Sequence, residues 1–260
     1  MEKIVAAQIF GKEFHKIDQL VRQFLLSEDN DFGEIASYII DLDVDQRPSV
    51  VFYLTAKAID NQSDLIFPLA AIIDLVYTAI VLHDSGTSDK ELESKVICDT
   101  LGARILLGDY LFSKAFHMMV KTNQISVVQR FAFAIAMHTE GQVIQLSEHE
   151  RSSSVQDDLN STIYSSRATL FYETITDLAF IMTTGTAREN KALTEFGRHF
   201  GVAAQISRSR SKPPQPGQRI NQTANTASGA IKDAMSCLSI LPASFYKDKL
   251  YDLAARLQSD

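Results

Sequence analysis

At 260 residues the chain is long enough to bury a substantial core, and a net charge of −7 argues against a general affinity for nucleic acid. It is 45% apolar and 22% charged with no tryptophan, which is ordinary for a helical globular protein. Two cysteines, Cys98 and Cys237, without CxxC spacing, read as reduced core residues in a cytosolic, cytoplasmic setting.

Over residues 3–26 apolar positions recur at helical spacing (Ile4, Ile9, Ile17, Val21, Phe24, Leu25), which predicts an amphipathic first helix. Its acidic residues and the want of a cleavage site argue against an export signal. SEDNDFG at Ser27–Gly33 is turn chemistry, and Glu34 to about Leu42 predicts a second helix that stops at the acidic DLDVDQRP. Pro48 restarts a run, SVVFYLTAKAI, read as helix with a strand as its alternative.

Phe67–Leu82 is apolar on nearly every side, broken by Asp74, Tyr77 and Thr78. A helix that is hydrophobic all round is a buried one, and Pro68 suits its first turn. It falls short of the roughly 20 residues of a bilayer crossing, so no transmembrane segment is expected. The polar string His83-Asp84-Ser85-Gly86-Thr87-Ser88 follows directly. An apolar shaft with a polar mouth suits a ligand with an apolar tail and a polar head.

Beyond the solvated DKELESK, ICDTLGARILLGDYLFSKAFHMMV predicts another buried helix, with Gly102 and Gly108 permitting close helix contact and Asn123 ending it. Further helices are predicted at Ile125–Leu146, Ser161–Met182 and Leu193–Ile206. Ser207–Gly229 is polar and rich in Pro, Gly and Ser, and is expected to be a disordered loop. Ile231–Leu257 closes the chain with one or two helices hinged at Pro242. There is no internal repeat and no strand alternation. The fold class is all-α: one domain over 1–260, a bundle of about ten helices around the central buried one.

Leu106–Phe116, LLGDYLFSKAF, closely resembles the GDYLLARAF segment of trans-prenyl diphosphate synthases, the polyprenyl synthetase family. Other landmarks fall in register. LVYTAIVLHD at Leu75–Asp84 resembles LIHTASLIHD, EGQVIQL at Glu140–Leu146 resembles EGEllQL, and FGRHFGVAAQI at Phe196–Ile206 resembles FGxxLGxAFQI. The resemblance implies the isoprenoid-synthase type of helical bundle.

It also implies chemistry that the residues do not carry. The family holds a diphosphate through Mg²⁺ on two DDxxD motifs, because Mg²⁺ wants several oxygens in octahedral array and aspartates at i and i+4 share a helix face. The first motif aligns with Asp84-Ser85-Gly86-Thr87-Ser88, which has one carboxylate, and the second with Arg208-Ser209-Arg210-Ser211-Lys212, which has none. The diphosphate-binding GGKRxRP aligns with Asp43–Pro48, where Arg47 alone survives of the basic residues. Losing one preorganised electrostatic contact costs ~2.7–4 kcal/mol of barrier, a factor of 10²–10³ in rate. Several such losses together make chain elongation by this subunit alone improbable, so no catalytic residue and no resident metal or cofactor is expected. Any Mg²⁺ would come with a catalytic partner.

Ligand-binding candidates by resemblance are Arg47, Ala79 and Ile80 (the tunnel floor before the first motif), His83, Asp84, Gln145 and Gln205. His83-Asp84 is either a remnant metal or diphosphate anchor or a polar helix cap. Gln145 and Gln205 either contact ligand or pack. Asp109 is expected to serve helix packing, and Asp74 and Tyr77 to be buried and hydrogen-bonded rather than catalytic. The basic tract from Arg188 to Arg219, with Arg208, Arg210 and Lys212, either contacts phosphate or a partner or is a solvated linker. Two functions follow. One is a non-catalytic subunit of a heteromeric trans-polyprenyl diphosphate synthase, paired with a catalytic subunit or with itself, in isoprenoid or quinone side-chain synthesis. The other is a stand-alone isoprenoid- or lipid-binding protein. A degenerate prenyltransferase with weak activity has less support.

Overall fold

The computed structural model describes residues 2–25, 47–84, 100–149, 170–181, 183, 185–210 and 220–258. Its helices are α1 (Glu2–Leu25), α2 (Pro48–Ala58), α3 (Ile66–Asp84), α4 (Leu101–Lys121), α5 (Ile125–His149), α6 (residues 170–178), α7 (Ala187–Arg210), α8 (Ile220–Cys237) and α9 (Phe245–Arg256). A 3₁₀ turn, Leu238–Ile240, separates the last two. Among the described residues there is no strand. The predicted helix at Glu34–Leu42 and the first part of Ser161–Met182 lie outside the described residues.

The chain gathers into two compact units, Met1–Tyr53 with Ser63–Val128, and Leu54–Gln62 with Gln129–Asp260. In the first, α3 packs against both α1 and α4. α1 buries Phe14, Ile17, Val21, Phe24 and Leu25, and all of these but Phe14 are positions that the sequence spacing drew. α4 buries Leu107, Leu111, Ala115 and Met119. Thr100 starts α4 by accepting a hydrogen bond from the Ala103 amide at 3.2 Å, so one of the helix's orphan donors is satisfied. Asn123, at φ 55°, follows the end of the helix in the left-handed conformation that asparagine tolerates.

The central helix is slightly longer than Phe67–Leu82. Its window Ile66–His83 is apolar and long enough to cross a membrane, yet 78% of it is buried inside the protein, as a core helix is.

In the second unit α7 packs on α8, and α6 meets α7 through the Tyr172 and Phe200 rings, 5.1 Å apart. Gly197 lies against the Tyr172 carbonyl, where a Cβ would clash with backbone. Arg198 joins the same helices, its Nε and Nη2 donating to Glu173 at 3.1 and 3.2 Å. The expected disordered stretch 207–229 is helical at both ends, since α7 runs to Arg210 and α8 starts at Ile220. The polar composition hid a buried face of small residues: Ala227, Ala230, Ile231 and Ala234, at helical spacing. Residues 211–219 lie outside the described residues.

Candidate functional site

The surviving basic residue of the diphosphate string is buried. Arg47 stands just before α2, and its side chain is 3% exposed. Its Nε and Nη2 both donate to Asp74 Oδ2, at 3.0 and 2.6 Å. Its Nη1 donates to Asp18 Oδ1 on α1 at 2.7 Å, and its guanidinium carbon lies 5.9 Å from the centre of the Phe14 ring. Burial pushes the Arg47 pKa down, but attraction to Asp74 and then Asp18, with the hydrogen bonds to both, outweighs it and leaves the value above normal.

Asp74 is as fully engaged. Its Oδ2 also accepts from Ser49 Oγ at 2.8 Å, and its Oδ1 from the Ser49 amide at 3.3 Å. That amide is one of the orphan donors in the first turn of α2, so the carboxylate caps a helix that is remote in sequence. A buried charge persists only when paired and hydrogen-bonded, and this one is both. The expectation that Asp74 is structural holds. Arg47, expected as a ligand contact, is buried and donates to both Asp74 and Asp18.

At the C-terminal end of α3, His83 reaches across to α4. Its Nε2 lies 3.2 Å from the Ile105 carbonyl and 3.3 Å from Asp109 Oδ1. The Ile105 carbonyl can only accept, so this contact is a hydrogen bond in the tautomer that carries its proton on Nε2. The ring also packs on Phe112, at 5.3 Å between centroids, and on Gly108, where a Cβ would overlap it. Gly108 thus provides the close contact expected of it, whereas nothing approaches Gly102 within 4 Å. Asp109 serves the α3–α4 contact as expected, from an exposed position.

Ala79 and Ile80 are both buried on α3. The Asp84 side chain and residues 85–99 lie outside the described residues. Among the described residues at this end the His83 ring and the Asp109 carboxylate are fewer than the several oxygens that Mg²⁺ wants. Among the described residues no group of three or more His, Cys, Asp or Glu could hold a metal ion.

In the second unit, Gln205 on α7 is half-buried, while the side chain of Gln145 on α5 lies outside the described residues. So do the side chains of Arg208 and Arg210, although their backbone ends α7, and all of Lys212. Arg198, counted in the basic tract, is taken by Glu173 and by Glu195, to which Nη1 donates at 3.1 Å.

Sequence reasoning missed Asp18 and Ser49 as partners of this cluster. The one signal for Asp18 is its place on α1 directly after the buried Ile17, where a carboxylate at the edge of an apolar face needs a cation nearby.

Comparison with known proteins bears on the whole chain. The profile of the polyprenyl synthetase family matches residues 31–207. The octaprenyl diphosphate synthase of Escherichia coli is 24% identical over 210 residues, covering 79% of this chain and 64% of that protein. The chain therefore spans less than two thirds of that relative's length. In three dimensions it is similar to a decaprenyl diphosphate synthase from Rhodobacter capsulatus, with a TM-score of 0.77 at 18% identity over 97% of each chain. A polyprenyl synthase from Caulobacter crescentus, solved with calcium and isoprenyl diphosphate, gives a TM-score of 0.78 at 19% identity, over 98% of this chain and 97% of that one. The all-α fold is that of the isoprenyl diphosphate synthases, and the chain belongs to the polyprenyl synthetase family.

Proposed function

We propose that this chain is a non-catalytic, cytoplasmic subunit of a heteromeric trans-polyprenyl diphosphate synthase, and that a second, catalytic chain brings the aspartates and the metal. The observation that carries this reading is the internal neutralisation of Arg47 by Asp74 and Asp18. The resemblance leaves one arginine at the diphosphate string, and that arginine is already balanced by two carboxylates. The sequence at Asp84–Ser88 and Arg208–Lys212 supports the same conclusion, since one string has a single carboxylate and the other is basic.

Large apolar side chains stand exposed on two successive helices: Leu106 and Val120 on α4, and Ile125, Phe133 and Val143 on α5, between 59% and 75% exposed. Scattered apolar exposure is ordinary, but large side chains this exposed, three in the first unit and two in the second, support partner-covered surface on each. A subunit of this kind contributes interface and part of an apolar tunnel, with Ala79 and Ile80 as tunnel residues. Affinity capture from the native cell tests the reading. A co-purified homologue with intact DDxxD motifs is expected. Recovery of the chain without such a homologue, and no effect of the chain on product length when the host synthase is added back, would count against it.

A further inference from the structure

Two of the exposed apolar side chains differ from the others in place. Val120, 63% exposed, and Ile125, 75% exposed, flank the turn that joins α4 to α5, while Leu106, Phe133 and Val143 lie away from it. The turn is only Thr122-Asn123-Gln124, and Asn123 closes it at φ 55°. Its backbone is satisfied from within. The Thr122 amide donates to the Met119 carbonyl and the Asn123 amide to the Val120 carbonyl, both at 3.1 Å. The Thr122 hydroxyl donates to the Met119 carbonyl at 2.6 Å and accepts from the Gln124 amide at 3.3 Å. A tip whose polar backbone is already paired loses little when water leaves it.

The charge along this hairpin is opposite in sign to that of the chain. The chain carries −7, yet no Asp or Glu occurs between Asp109 and Glu140, where Lys114, Lys121 and Arg130 are basic. Arg130 is ion-paired with Asp177. Lys114, His117 and Lys121 are spaced i, i+3 and i+7, on one face of α4 that leads to the turn. Among the described residues no carboxylate pairs with any of these three, and Lys114 lies 6.0 Å from the centre of the Tyr110 ring.

We propose that the α4–α5 turn docks on an anionic bilayer surface. Val120 and Ile125 enter the boundary between headgroups and acyl chains, and Lys121, with Lys114 behind it, meets lipid phosphates. The size of the tip favours this occupant over a protein. Two side chains offer far less than the roughly 800 Å² per partner of a stable protein interface, whereas binding at a bilayer surface grows with each inserted apolar group and each lysine. Lysine stems lie along apolar surface while the ammonium stays at headgroup level. The turn is about 18 Å along α4 from Asp109, remote from the His83 contact at the other end of the helix. The inference assigns a surface and no turnover, so it stands or falls apart from the subunit reading.

The test is flotation of the full chain with vesicles of phosphatidylcholine and phosphatidylglycerol in equal parts, or of phosphatidylcholine alone, at low and high salt. Three variants are compared: Lys114→Gln with Lys121→Gln, Val120→Gln with Ile125→Gln, and Lys191→Gln with Lys232→Gln. The last pair, exposed on α7 and α8, makes the same change in net charge elsewhere. The unaltered chain should bind the mixed vesicles, and bind them less at high salt. A lysine at an anionic surface is worth about fivefold in partition, so the Lys114, Lys121 variant should lose roughly twentyfold. The Val120, Ile125 variant should lose at least about tenfold. The Lys191, Lys232 variant should bind as the unaltered chain does, and all thermal midpoints should agree. No binding of the unaltered chain to the mixed vesicles would overturn the proposal. Equal losses in the Lys114, Lys121 and the Lys191, Lys232 variants would also overturn it, since net charge would then be the cause. Unchanged vesicle binding in either turn variant would do the same, and lost self-association in the Val120, Ile125 variant would then assign the turn to a second copy of the chain.

Discussion

Arg47 and Asp74, 27 residues apart in sequence, meet through a single oxygen: Oδ2 of Asp74 accepts from both Nε and Nη2 of Arg47, at 3.0 and 2.6 Å. The arrangement leaves Oδ1 for the amide at the start of α2, so one carboxylate neutralises a buried arginine and caps a helix. Removing one partner of a buried pair strands the other charge, at a cost of about 3–5 kcal/mol. Asp74→Ala is expected to lose stability in that range in urea denaturation. The double change Arg47→Met with Asp74→Leu should cost less than Asp74→Ala alone, because neither buried charge of the pair remains and Asp18, 24% exposed, is left to solvent. A double variant as unstable as Asp74→Ala would mean that shape, not charge, dominates there.

Gly108 and His83 form a second coupled pair. Alanine normally improves a helix interior by roughly 1 kcal/mol over glycine. At Gly108 the added Cβ runs into the His83 ring, which Phe112 holds from another side. Gly108→Ala should therefore destabilise by about 1–3 kcal/mol. In a His83→Ala background the same change should turn neutral or stabilising. Thermal midpoints of the four chains in this cycle decide it; equal effects in both backgrounds would remove the steric explanation.

Thr186 and Glu189 make a reciprocal cap at the start of α7. Glu189 Oε2 accepts from the Thr186 amide at 2.7 Å and from its hydroxyl at 2.8 Å, and the Glu189 amide donates to Thr186 Oγ1 at 3.2 Å. The Thr186 amide, then its hydroxyl, hold the Glu189 carboxyl below its ordinary pKa, against a smaller opposing effect of burial. A depressed carboxyl contributes stability above its unfolded pKa and loses it as pH falls through the folded one. Glu189→Ala is expected to cost ~0.5–2 kcal/mol at neutral pH and progressively less in acid. Denaturation curves at several pH values check this, and a cost that does not shrink in acid would contradict it.

Ala79 separates a tunnel from a plain core. Its small side chain is fully buried on α3, where overpacking by phenylalanine is expected to cost about 1–3 kcal/mol. If the position shapes an isoprenoid path, Ala79→Phe should also shorten the product of the heteromer or weaken binding of an apolar chain. Stability and product length are to be measured on the same protein. Lost stability with unchanged product and lipid binding would leave Ala79 as packing alone.

Much of this was legible in the residues. Helical periodicity placed α1, α2, α3, α4 and α5, and the all-round apolarity of Phe67–Leu82 identified the core helix, because burial on every side leaves no polar stripe. Asp74 was readable as structural, since a carboxylate inside such a helix needs a partner. Which partner was not readable. Arg47 looks the same in sequence whether it faces a ligand or the core, and its second counter-ion, Asp18, lies on a helix whose docking no local pattern reveals. The helical start of α8 was hidden for a related reason. Asn, Thr, Ser and Gln dominate INQTANTASGAIKDAMSC, and its buried face is built mainly from alanine, which composition does not separate from a linker. Gly102 and Gly108 are equivalent in a sequence reading, and only the position of His83 distinguishes them.

The most direct measurement is prenyl transfer by the purified chain itself. It should be expressed free of any host synthase and given isopentenyl diphosphate with allylic diphosphates of several lengths, with and without Mg²⁺. The predicted result is no elongated product under any of these conditions, with product appearing only when a DDxxD-bearing partner is added. Metal-dependent elongation by the chain alone would contradict the non-catalytic reading.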